Sequence, residues 1–356
     1  MTRGASDPRN LLRAGNLLSR LAELSGLVHR PVDLEPVPVV TRGAPEPLEP
    51  GVPFKVLCWN IQYAGTRRQR FFYDGGDAVH VDPADRDLGL AGIVAELRAV
   101  DADLVLLQEI DRDSDRTGRI DELAALLEGA PYPSYVSATC HRSRYVPVPR
   151  HQPLGRVDLH VALLARTQLR SGLRHQLPLL REPRLRQAFN LKRCLLTAEV
   201  PVAGWEQPLH LAVTHLSAFS RGDGTLVRQV EALRSWMEAR ERAGEPFVLG
   251  GDLNLLPPGD DPRRLGAEAV EYTDHPNPIE RLIPRFRSAV APERLLDPRN
   301  ATYLPWGAVA ADRVLDYLFV SDGIDVIEAG PLSRPCPISD HHPLLATLRL
   351  RGRPTR

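Results

Sequence analysis

The stretch PISDHHPLL, at residues 337–345, places an acid and two adjacent histidines inside an otherwise apolar segment. A histidine titrates near neutral pH, so it can move a proton or contact a phosphate oxygen. A neighbouring carboxylate can orient such a histidine or help to hold a cation. Asp340, His341 and His342 are therefore candidates for chemistry, and the rest of the chain must supply their partners.

Polar side chains also stand where four predicted strands end. FKVLCW runs into Asn60, ADLVLL into Gln108 and Glu109, LHLAVT into His215, and PFVLG into Gly251, Asp252, Leu253 and Asn254. In sheets covered on both faces, ligands bind outside the carboxyl ends of the strands. One such residue would be an ordinary start of a loop, but four separate strand ends predict a shared site.

These candidate ligands are rich in oxygen and include no cysteine. Such a set suits a hard cation, Mg²⁺ or Mn²⁺, which takes one or two carboxylates and leaves positions for water and phosphate oxygen. Glu109 is the best candidate for a direct ligand, because the apolar strand before it should bury its surroundings. We therefore expect a divalent ion as the cofactor.

Short apolar runs that are typical of strands position these residues. They are residues 54–59, 102–107, 161–165, 193–200, 209–214, 246–250, 314–320 and 344–350. Several are almost continuously apolar, as in sheets covered on both faces, and helical stripes lie between them. This pattern predicts a layered α/β or α+β domain. Long loops are predicted at 61–86, 141–157, 174–192 and 253–310, and the first three are rich in arginine.

The N-terminal part of the chain differs from the rest. Residues 1–30 are predicted to contain an amphipathic helix over residues 8–28, with an apolar face formed by Leu17, Leu18, Leu21, Leu24 and Val28. Residues 31–53 contain seven prolines and predict an extended linker. Residues 54–352 are predicted to form the catalytic domain. We expect the helix to pack on this domain or on a partner.

Composition argues against several classes of protein. Acidic and basic residues number 45 each, whereas a sequence-independent DNA binder more often has a basic excess. The four cysteines, Cys58, Cys140, Cys194 and Cys336, have neither zinc-ligand nor redox spacing. No stretch approaches the roughly 18 uncharged apolar residues of a membrane span, and charges interrupt any signal peptide. We expect a soluble cytoplasmic protein.

Six motifs follow one another along the chain in a familiar order. They are WN at 59–60, QE at 108–109, TH at 214–215, GDLN at 251–254, LDYLFVS at 315–321 and SDHHP at 339–343. In this order they resemble the endonuclease/exonuclease/phosphatase (DNase I-like) superfamily over roughly residues 54–350. The resemblance implies a four-layer sandwich, in which two β-sheets pack face to face between outer helices. It also implies hydrolysis of a phosphate ester with the help of Mg²⁺ or Mn²⁺.

Matching motif positions implies a role for each polar residue. Asn60 and Glu109 match metal-site residues, and Asp340 matches a further or water-mediated contributor. Asp252 matches the group that orients the attacking water or a second metal. Asn254 matches a donor that holds the phosphate.

The resemblance also distinguishes the histidines. His215 matches a histidine that protonates the leaving oxygen or stabilises the pentacovalent state. His341 directly follows the motif aspartate and matches the essential histidine, whereas His342 is expected to line the wall. Asp316, an acid inside a predicted strand, is costly to bury unless it is paired. Pairing with His341 would resolve that cost, fix the histidine tautomer and raise its basicity, which suits His341 to activate the attacking water or to bind the phosphate.

The expected activity is that of a phosphodiesterase or endonuclease acting on a phosphate ester, which could be nucleic acid. Many nuclease members carry an asparagine at the position that Val161 occupies here. In this respect the segment at 160–166 resembles the lipid phosphodiesterases of the superfamily more than its abasic-site endonucleases. A sphingomyelinase-like activity, a small-molecule phosphatase activity and a catalytically silent binding module of the same fold therefore remain as alternatives. The sequence fixes neither the substrate nor the number of metals.

Overall fold

A computed structural model describes residues 18–23, 25–30, 32–218, 220, 222–332 and 338–352. The predictions made for residues 1–17, Leu24 and Cys336 lie outside the described residues. Residues 18–23 are helical. Across the described ranges, no helix has both the length and the apolar character needed to cross a membrane.

Runs of strands with a few helices between them follow along the chain. The strands are β1 (Leu34–Pro36), β2 (Val40–Thr41), β3 (Pro53–Asn60), β4 (Leu104–Asp111), β5 (Ser134–Val146), β6 (Gly155–Ala165), β7 (Arg170–Gln176), β8 (Cys194–Val200), β9 (Leu209–His215), β10 (Phe247–Asp252), β11 (Arg287–Ser288), β12 (Asp316–Val320), β13 (Ile324–Pro331) and β14 (Leu344–Leu350). The helices are α1 (Pro83–Val100), α2 (Glu122–Gly129), α3 (Arg184–Ala188) and α4 (Thr225–Ala243). The carboxylates of Asp82 and Asp121 cap α1 and α2 by accepting backbone N–H bonds.

The strands form two seven-stranded sheets. The first has the order β13-β14-β3-β4-β6-β5-β2, and the second has the order β1-β7-β8-β9-β10-β12-β11. β3 and β4 are parallel neighbours in the first sheet, as are β9 and β10 in the second. Each sheet therefore brings two carboxyl strand ends side by side.

Side-chain alternation gives each sheet an inner and an outer face. Cys58 of β3 belongs to the apolar core between the sheets, whereas Leu57 and Trp59 belong to a second core under α1 and α2. On the other side of the molecule, Trp236 of α4 packs edge-on against Phe247 of β10, with ring centroids 5.8 Å apart. The layers run helix, sheet, sheet, helix, and the predicted four-layer sandwich is confirmed.

All eight predicted strand segments overlap strands of the structure, whereas the short strands β1, β2 and β11 and the longer strands β5, β7 and β13 were not predicted. The prediction of a loop over 141–157 is wrong at both ends, because β5 runs to Val146 and β6 begins at Gly155. Exposed Arg142 and Arg144 alternate there with buried Ser143 and Val146. The exposed arginines interrupt the run of apolar residues, so the alternation of buried and exposed positions that marks a strand is not visible in the sequence.

The end of the N-terminal segment lies against the domain. Val28 forms a bridge with Ser143 of β5, and both Ala22 and Val28 are buried. The predicted apolar face is wrong at Leu18 and Leu21, which are 52% and 51% exposed. Val28 of the predicted face does make the contact, together with Ala22 and with Ala188 and Phe189 of the main domain.

Residues 32–48 are extended but do not form a free tether. β1 pairs with β7 at the margin of the second sheet, and β2 pairs with β5 at the margin of the first. Leu48 is buried and forms a bridge with Val202. The boundaries 1–30, 31–53 and 54–352 remain a prediction, but the middle segment adds a strand to each sheet.

Candidate active site

The register of the second sheet aligns three polar residues at its carboxyl edge. Asp252 of β10 lies opposite His215 of β9 on one side and opposite Asp316 of β12 on the other. All three residues are buried. Gly251 allows this close approach, because a Cβ there would lie 1.9 Å from the carbonyl oxygen of Thr214.

His341 reaches this row from the segment before β14. Its Nδ1 lies 2.7 Å from Oδ2 of Asp316, and its Nε2 lies 3.6 Å from Oδ2 of Asp252. The backbone is fixed as well, since the indole N–H of Trp59 donates to the His341 carbonyl over 2.9 Å. Two acids of the second sheet and a tryptophan of the first therefore fix the position of His341.

The proton on His341 is strongly held. Burial acts to lower the pKa of His341, but the charges of Asp316 and Asp252 outweigh it and raise that pKa well above the ordinary value. Burial acts to raise the pKa of Asp252, but His341 and His215 lower that pKa below its ordinary range. The cluster therefore holds an imidazolium beside an ionised carboxylate.

Asp252 is the centre of this network. Its Oδ2 accepts a hydrogen bond from the Asn60 amide over 3.1 Å and lies 3.2 Å from Nε2 of His215. Nδ1 of His215 lies 3.8 Å from the carboxylate of Glu109. Asn60 and Glu109 belong to the first sheet and Asp252 and His215 to the second, so the network joins the two sheets at their common edge.

Asn254 is held close to the same carboxylate. Its backbone N–H donates to Oδ1 of Asp252 over 3.0 Å, and its side-chain amide donates to the Leu216 carbonyl over 3.1 Å. Asn254 has φ 52° and Glu109 has φ 58°, a left-handed conformation that is uncommon for residues other than glycine. Such backbone strain often marks functional sites, because the surrounding structure must hold it in place.

The three predicted metal-site residues, Asn60, Glu109 and Asp340, lie next to this network. Glu109 lies in an irregular part of β4, between the register positions Leu107 and Ile110. Burial raises the pKa of Asp340 to about 7, and the negative charges of Glu109 and Asp74 add to this effect. These acids repel one another, which is the situation that a bound cation relieves.

The residues around Glu109 and Asp340 fit a divalent cation. The side-chain carbonyl oxygen of Asn60 and the carboxylates of Glu109 and Asp340 are the hard oxygen ligands that Mg²⁺ and Mn²⁺ prefer. A second group with metal-ligand spacing, formed by Asp252, Asp316 and His341, lies within 4.8 Å. The two acids of that group are already paired with His341, whereas Glu109 and Asp74 place negative charge near Asp340, so the side of Glu109 and Asp340 fits a cation better.

Residues that the sequence did not single out complete the site. Burial raises the pKa of Asp74 to about 6, and the negative charge of Glu109 adds to this effect. The Gln62 side-chain carbonyl accepts a bond from the Asp340 N–H over 3.2 Å. The Ser339 hydroxyl donates to the main-chain carbonyl of Asn60 over 2.7 Å. Only Ser339 carried a signal, because it belongs to the SDHHP motif.

The remaining candidates occupy different positions. The ring of Tyr303 meets that of His341 edge-on at 5.2 Å, and Nδ1 of the half-buried His342 has no hydrogen-bond partner among the described residues. Trp306 is 37% exposed, and Arg67 lies 5.8 Å from its ring centroid. Val161 is buried in the core between the sheets.

All eight predicted site residues gather at one edge, and their roles remain predictions.

The order of motifs and this geometry have a counterpart among known proteins. The chain matches the model of the Endonuclease/Exonuclease/phosphatase family over residues 57–341. The chain belongs to this family. Its members are generally phosphoesterases that depend on divalent metals. A comparison with curated proteins finds no match.

Solved structures of the family share this fold. An endonuclease/exonuclease/phosphatase from Beutenbergia cavernae DSM 12333 is 24% identical, with 85% of this chain and 73% of that chain covered and a TM-score of 0.59. The human Nocturnin catalytic domain with bound sulfate is 18% identical, with 88% and 97% covered and a TM-score of 0.51. A mannosyl-6-phosphatase from Bacteroides thetaiotaomicron is 14% identical, with 83% and 99% covered and a TM-score of 0.52. At these identities the likeness shows the fold alone.

Proposed function

We propose that this endonuclease/exonuclease/phosphatase protein is a Mg²⁺- or Mn²⁺-dependent phosphodiesterase, with nucleic acid as its substrate. One observation carries the proposal. The Asp316–His341 pair lies within 3.6 Å of Asp252, and the carboxylates of Glu109 and Asp340 lie on the neighbouring side of the same network. A proton-transfer cluster and a set of cation ligands thus face one another.

The cation would be held by Asn60, Glu109 and Asp340. When bound, it would supply Lewis-acid polarisation of a phosphoryl oxygen. Asp252 is ionised and central, so it orients the attacking water and accepts its proton. The protonated His341, fixed by Asp316, then donates from Nε2 to a phosphate oxygen and stabilises the charge of the transition state.

Two further residues act on the phosphate ester. His215 lies beside Asp252 and Glu109, where it can donate a proton to the leaving oxygen. The amide of Asn254 would be redirected from the Leu216 carbonyl to a phosphate oxygen when substrate binds. Both residues act from fixed strand ends, and positioning supplies much of the catalysis in phosphoryl transfer.

The hairpin of β5 and β6 supports a polyanionic substrate. β6 pairs with β4 so that Leu159 lies opposite Asp111, and the hairpin therefore projects from the same edge as Glu109. Arg144 and Arg150 are exposed on it, and Arg142 is exposed beside Asp158. Arginine binds phosphate through planar, paired hydrogen bonds. The hairpin would contact backbone phosphates next to the reacting one.

A phospholipid headgroup is the second candidate substrate. Tyr145 is 51% exposed and Val148 is 52% exposed on the same hairpin. Apolar and aromatic side chains among arginines are typical of surfaces that bind anionic membranes. This candidate shares the catalytic centre described above and differs only in what the hairpin contacts.

A substrate panel tests the proposal. The full chain would be assayed with bis-p-nitrophenyl phosphate, plasmid, abasic DNA, RNA, sphingomyelin and inositol phosphates, with Mg²⁺ and Mn²⁺ separately and with EDTA. We expect metal-dependent turnover of the diester and of a nucleic acid, both lost in His341→Ala. Turnover of sphingomyelin alone would support the lipid candidate. No metal-dependent turnover of any ester would overturn the proposal and support a silent binding module.

A matched pair of variants separates the hairpin from the catalytic centre. Arg144→Gln and Arg150→Gln together should raise KM for nucleic acid and leave the turnover of bis-p-nitrophenyl phosphate unchanged, because the small diester does not reach the hairpin. Arg170→Gln, an exposed arginine of β7, serves as the control. An unchanged KM for nucleic acid would exclude the hairpin as a substrate contact.

A further inference from the structure

Two thiols face one another inside the sandwich. Sγ of Cys140, in β5 of the first sheet, lies 3.5 Å from Sγ of Cys194, at the start of β8 in the second sheet. Both residues are buried. They are 54 positions apart in the chain, so their spacing in the sequence gave no indication of a pair.

We propose that Cys140 and Cys194 are a redox-active pair that forms a reversible disulfide between the two sheets. A bulge in β5 directs the first thiol inward. Thr139 pairs with His160, and His141 pairs with Leu159, which leaves Cys140 as the extra residue of the strand. Bulges of this kind redirect a side chain and recur near active sites.

The backbone around the pair is held firmly. The Lys192 N–H donates to the Cys140 carbonyl over 2.7 Å, which joins the segment before β8 to β5. The Arg174 guanidinium donates through Nε to the Thr139 carbonyl over 2.9 Å. Both strands are therefore fixed next to the two thiols, so only a small rotation of the side chains brings the sulfurs to bonding distance.

A buried positive charge without a carboxylate lies beside the pair. Arg174 is 1% exposed, and its acceptors are the neutral oxygens of Thr139, Gln176 and Lys192. Its Nη1 has no partner, and no acid within the described residues forms a salt bridge with it. A buried cation is costly unless a negative charge compensates it, and a Cys140 thiolate would do so.

Cys58 is an equally buried thiol that lies near the carboxylates of Asp316 and Asp252 instead of near arginines. Burial raises the pKa of Cys58 well above its ordinary value. The hydrogen bond between the two thiols lowers the pKa of Cys140 and raises that of Cys194, and the charges of Arg193 and Arg174 lower the Cys140 pKa further against the effect of burial. A lower pKa favours the thiolate, which is the nucleophilic form. Cys58 therefore provides an internal control of equal burial.

Hydrogen peroxide is small enough to serve as the oxidant for a buried pair. The Cys140 thiolate attacks one peroxide oxygen and the O–O bond breaks, which gives a sulfenic acid and a hydroxide that takes up a proton. The Cys194 sulfur then attacks the sulfenic sulfur, and water leaves. In total, two thiols and one peroxide give one disulfide and two waters. A small dithiol then reduces the disulfide by exchange, which restores the two protein thiols and converts the reductant into its own disulfide.

The cross-link would lie next to the catalytic centre. The Thr214 hydroxyl donates to the Cys194 carbonyl over 3.0 Å, and Thr214 directly precedes His215. A disulfide here would tie β5 to β8 at the edge where the site is built. It would also close a long loop of the unfolded chain, which stabilises the folded state.

Peptide mapping tests the pair in the full chain with Cys336→Ser, which removes the fourth cysteine. The protein would be treated with hydrogen peroxide, unfolded in an alkylating agent, digested and analysed by mass spectrometry. We expect a peptide that joins Cys140 to Cys194 and is lighter by two hydrogens than the separate thiols, with Cys58 alkylated. Reduction should restore both thiols. Full alkylation of Cys140 and Cys194 after peroxide, or equal oxidation of Cys58, would overturn the proposal.

Thermal unfolding adds a second measurement. We expect peroxide to raise the unfolding midpoint of the Cys336→Ser protein by a few degrees and a reductant to reverse the rise. Cys194→Ser should show no such rise. A rise of equal size in Cys194→Ser would mean that the pair is not its cause. If Cys194→Ser does not fold, the peptide map alone decides the question.

Discussion

Two of the buried histidine–aspartate pairs, His341–Asp316 and His160–Asp158, differ in whether the histidine carries a positive charge. Nδ1 of His341 lies 2.7 Å from Asp316, and Nε2 of His160 lies 2.9 Å from Asp158. The first pair has a raised histidine pKa. In the second pair, burial lowers the pKa of His160 despite the bond to Asp158.

The surroundings explain the difference. A second carboxylate, Asp252, faces the free nitrogen of His341. Around His160 the next charges are Arg112 and Arg142, which lower its pKa further. A histidine–aspartate pair is therefore not catalytic by itself. The charges that face the free nitrogen decide whether the ring is an imidazolium beside a base or a neutral structural group.

The largest expected effect separates the two pairs by activity. His341→Ala should lower the metal-dependent rate by at least about 100-fold, which is the scale of acid–base and electrostatic groups. His160→Ala should lower it far less, because His160 faces no second carboxylate. Steady-state rates with bis-p-nitrophenyl phosphate check this, with circular dichroism to confirm folding. Equal losses in the two variants would remove the distinction.

The second carboxylate can be tested directly. Asp252→Ala should also lower the rate by at least about 100-fold, because it removes both the proton acceptor and the centre of the network. Asp158→Ala, which removes the single carboxylate bonded to His160, should leave most of the activity. The same assay compares them at saturating metal, and a mild Asp252 variant would contradict the assignment.

The metal ligand gives a smaller but more specific effect. Glu109→Gln should raise the metal concentration needed for half activity by about tenfold or more, because it removes a charged oxygen ligand. Titration with Mg²⁺ and Mn²⁺ measures this shift. Glu128→Gln, on the exposed side of α2, is the control. An unaltered titration for Glu109→Gln would exclude it as a ligand.

Stability should depend on pH with opposite sign for the two histidines. The pKa of His160 is below 6.5 in the folded state, so its contribution is present above pH 6.5 and is lost as the pH falls. The pKa of His341 is above 6.5, so its contribution is present below pH 6.5 and is lost as the pH rises through the raised value. Urea unfolding of each His→Gln variant against the wild type, with EDTA, measures both trends. Trends of the same sign would show that the two surroundings do not differ.

The smallest effect is expected within the histidine doublet. His342→Ala should cost much less activity than His341→Ala, because the His342 ring has neither of the two carboxylates as a partner. Burial and the charge of His341 lower the pKa of His342, so it is neutral near pH 7. Parallel rate measurements decide the matter, and a crippled His342 variant with a mild His341 variant would reverse the assignment.

Strands that are apolar on both faces could be predicted from the sequence, and strands with a polar face could not. β3 and β9 read directly as strands, because each side of each strand is covered by another layer. β5 was missed, since arginines alternate with small buried residues along it. The contribution of residues 34–41 to the sheets was also missed, because prolines hid a pairing that depends on distant strands.

The candidate site was predictable where motif residues stand at strand ends. Asp252 and Asp316 lie opposite one another because register fixes neighbours across a sheet. Asp74 and Gln62 could not be found, since they lie in the irregular segment between β3 and α1 and carry no periodic signal. The Cys140–Cys194 pair was equally hidden, because the contact between sheets is set by a bulge.

The two short strands near the N-terminus have a consequence for truncated forms. β1 covers the backbone of β7, and β2 covers the backbone of β5. A chain shortened to begin at residue 54 would expose the unpaired N–H and C=O groups of both strands. Exposed ladders of that kind recruit other chains and lead to aggregation. Residues 34–41 therefore guard the molecule against self-association, and a shortened protein should keep them.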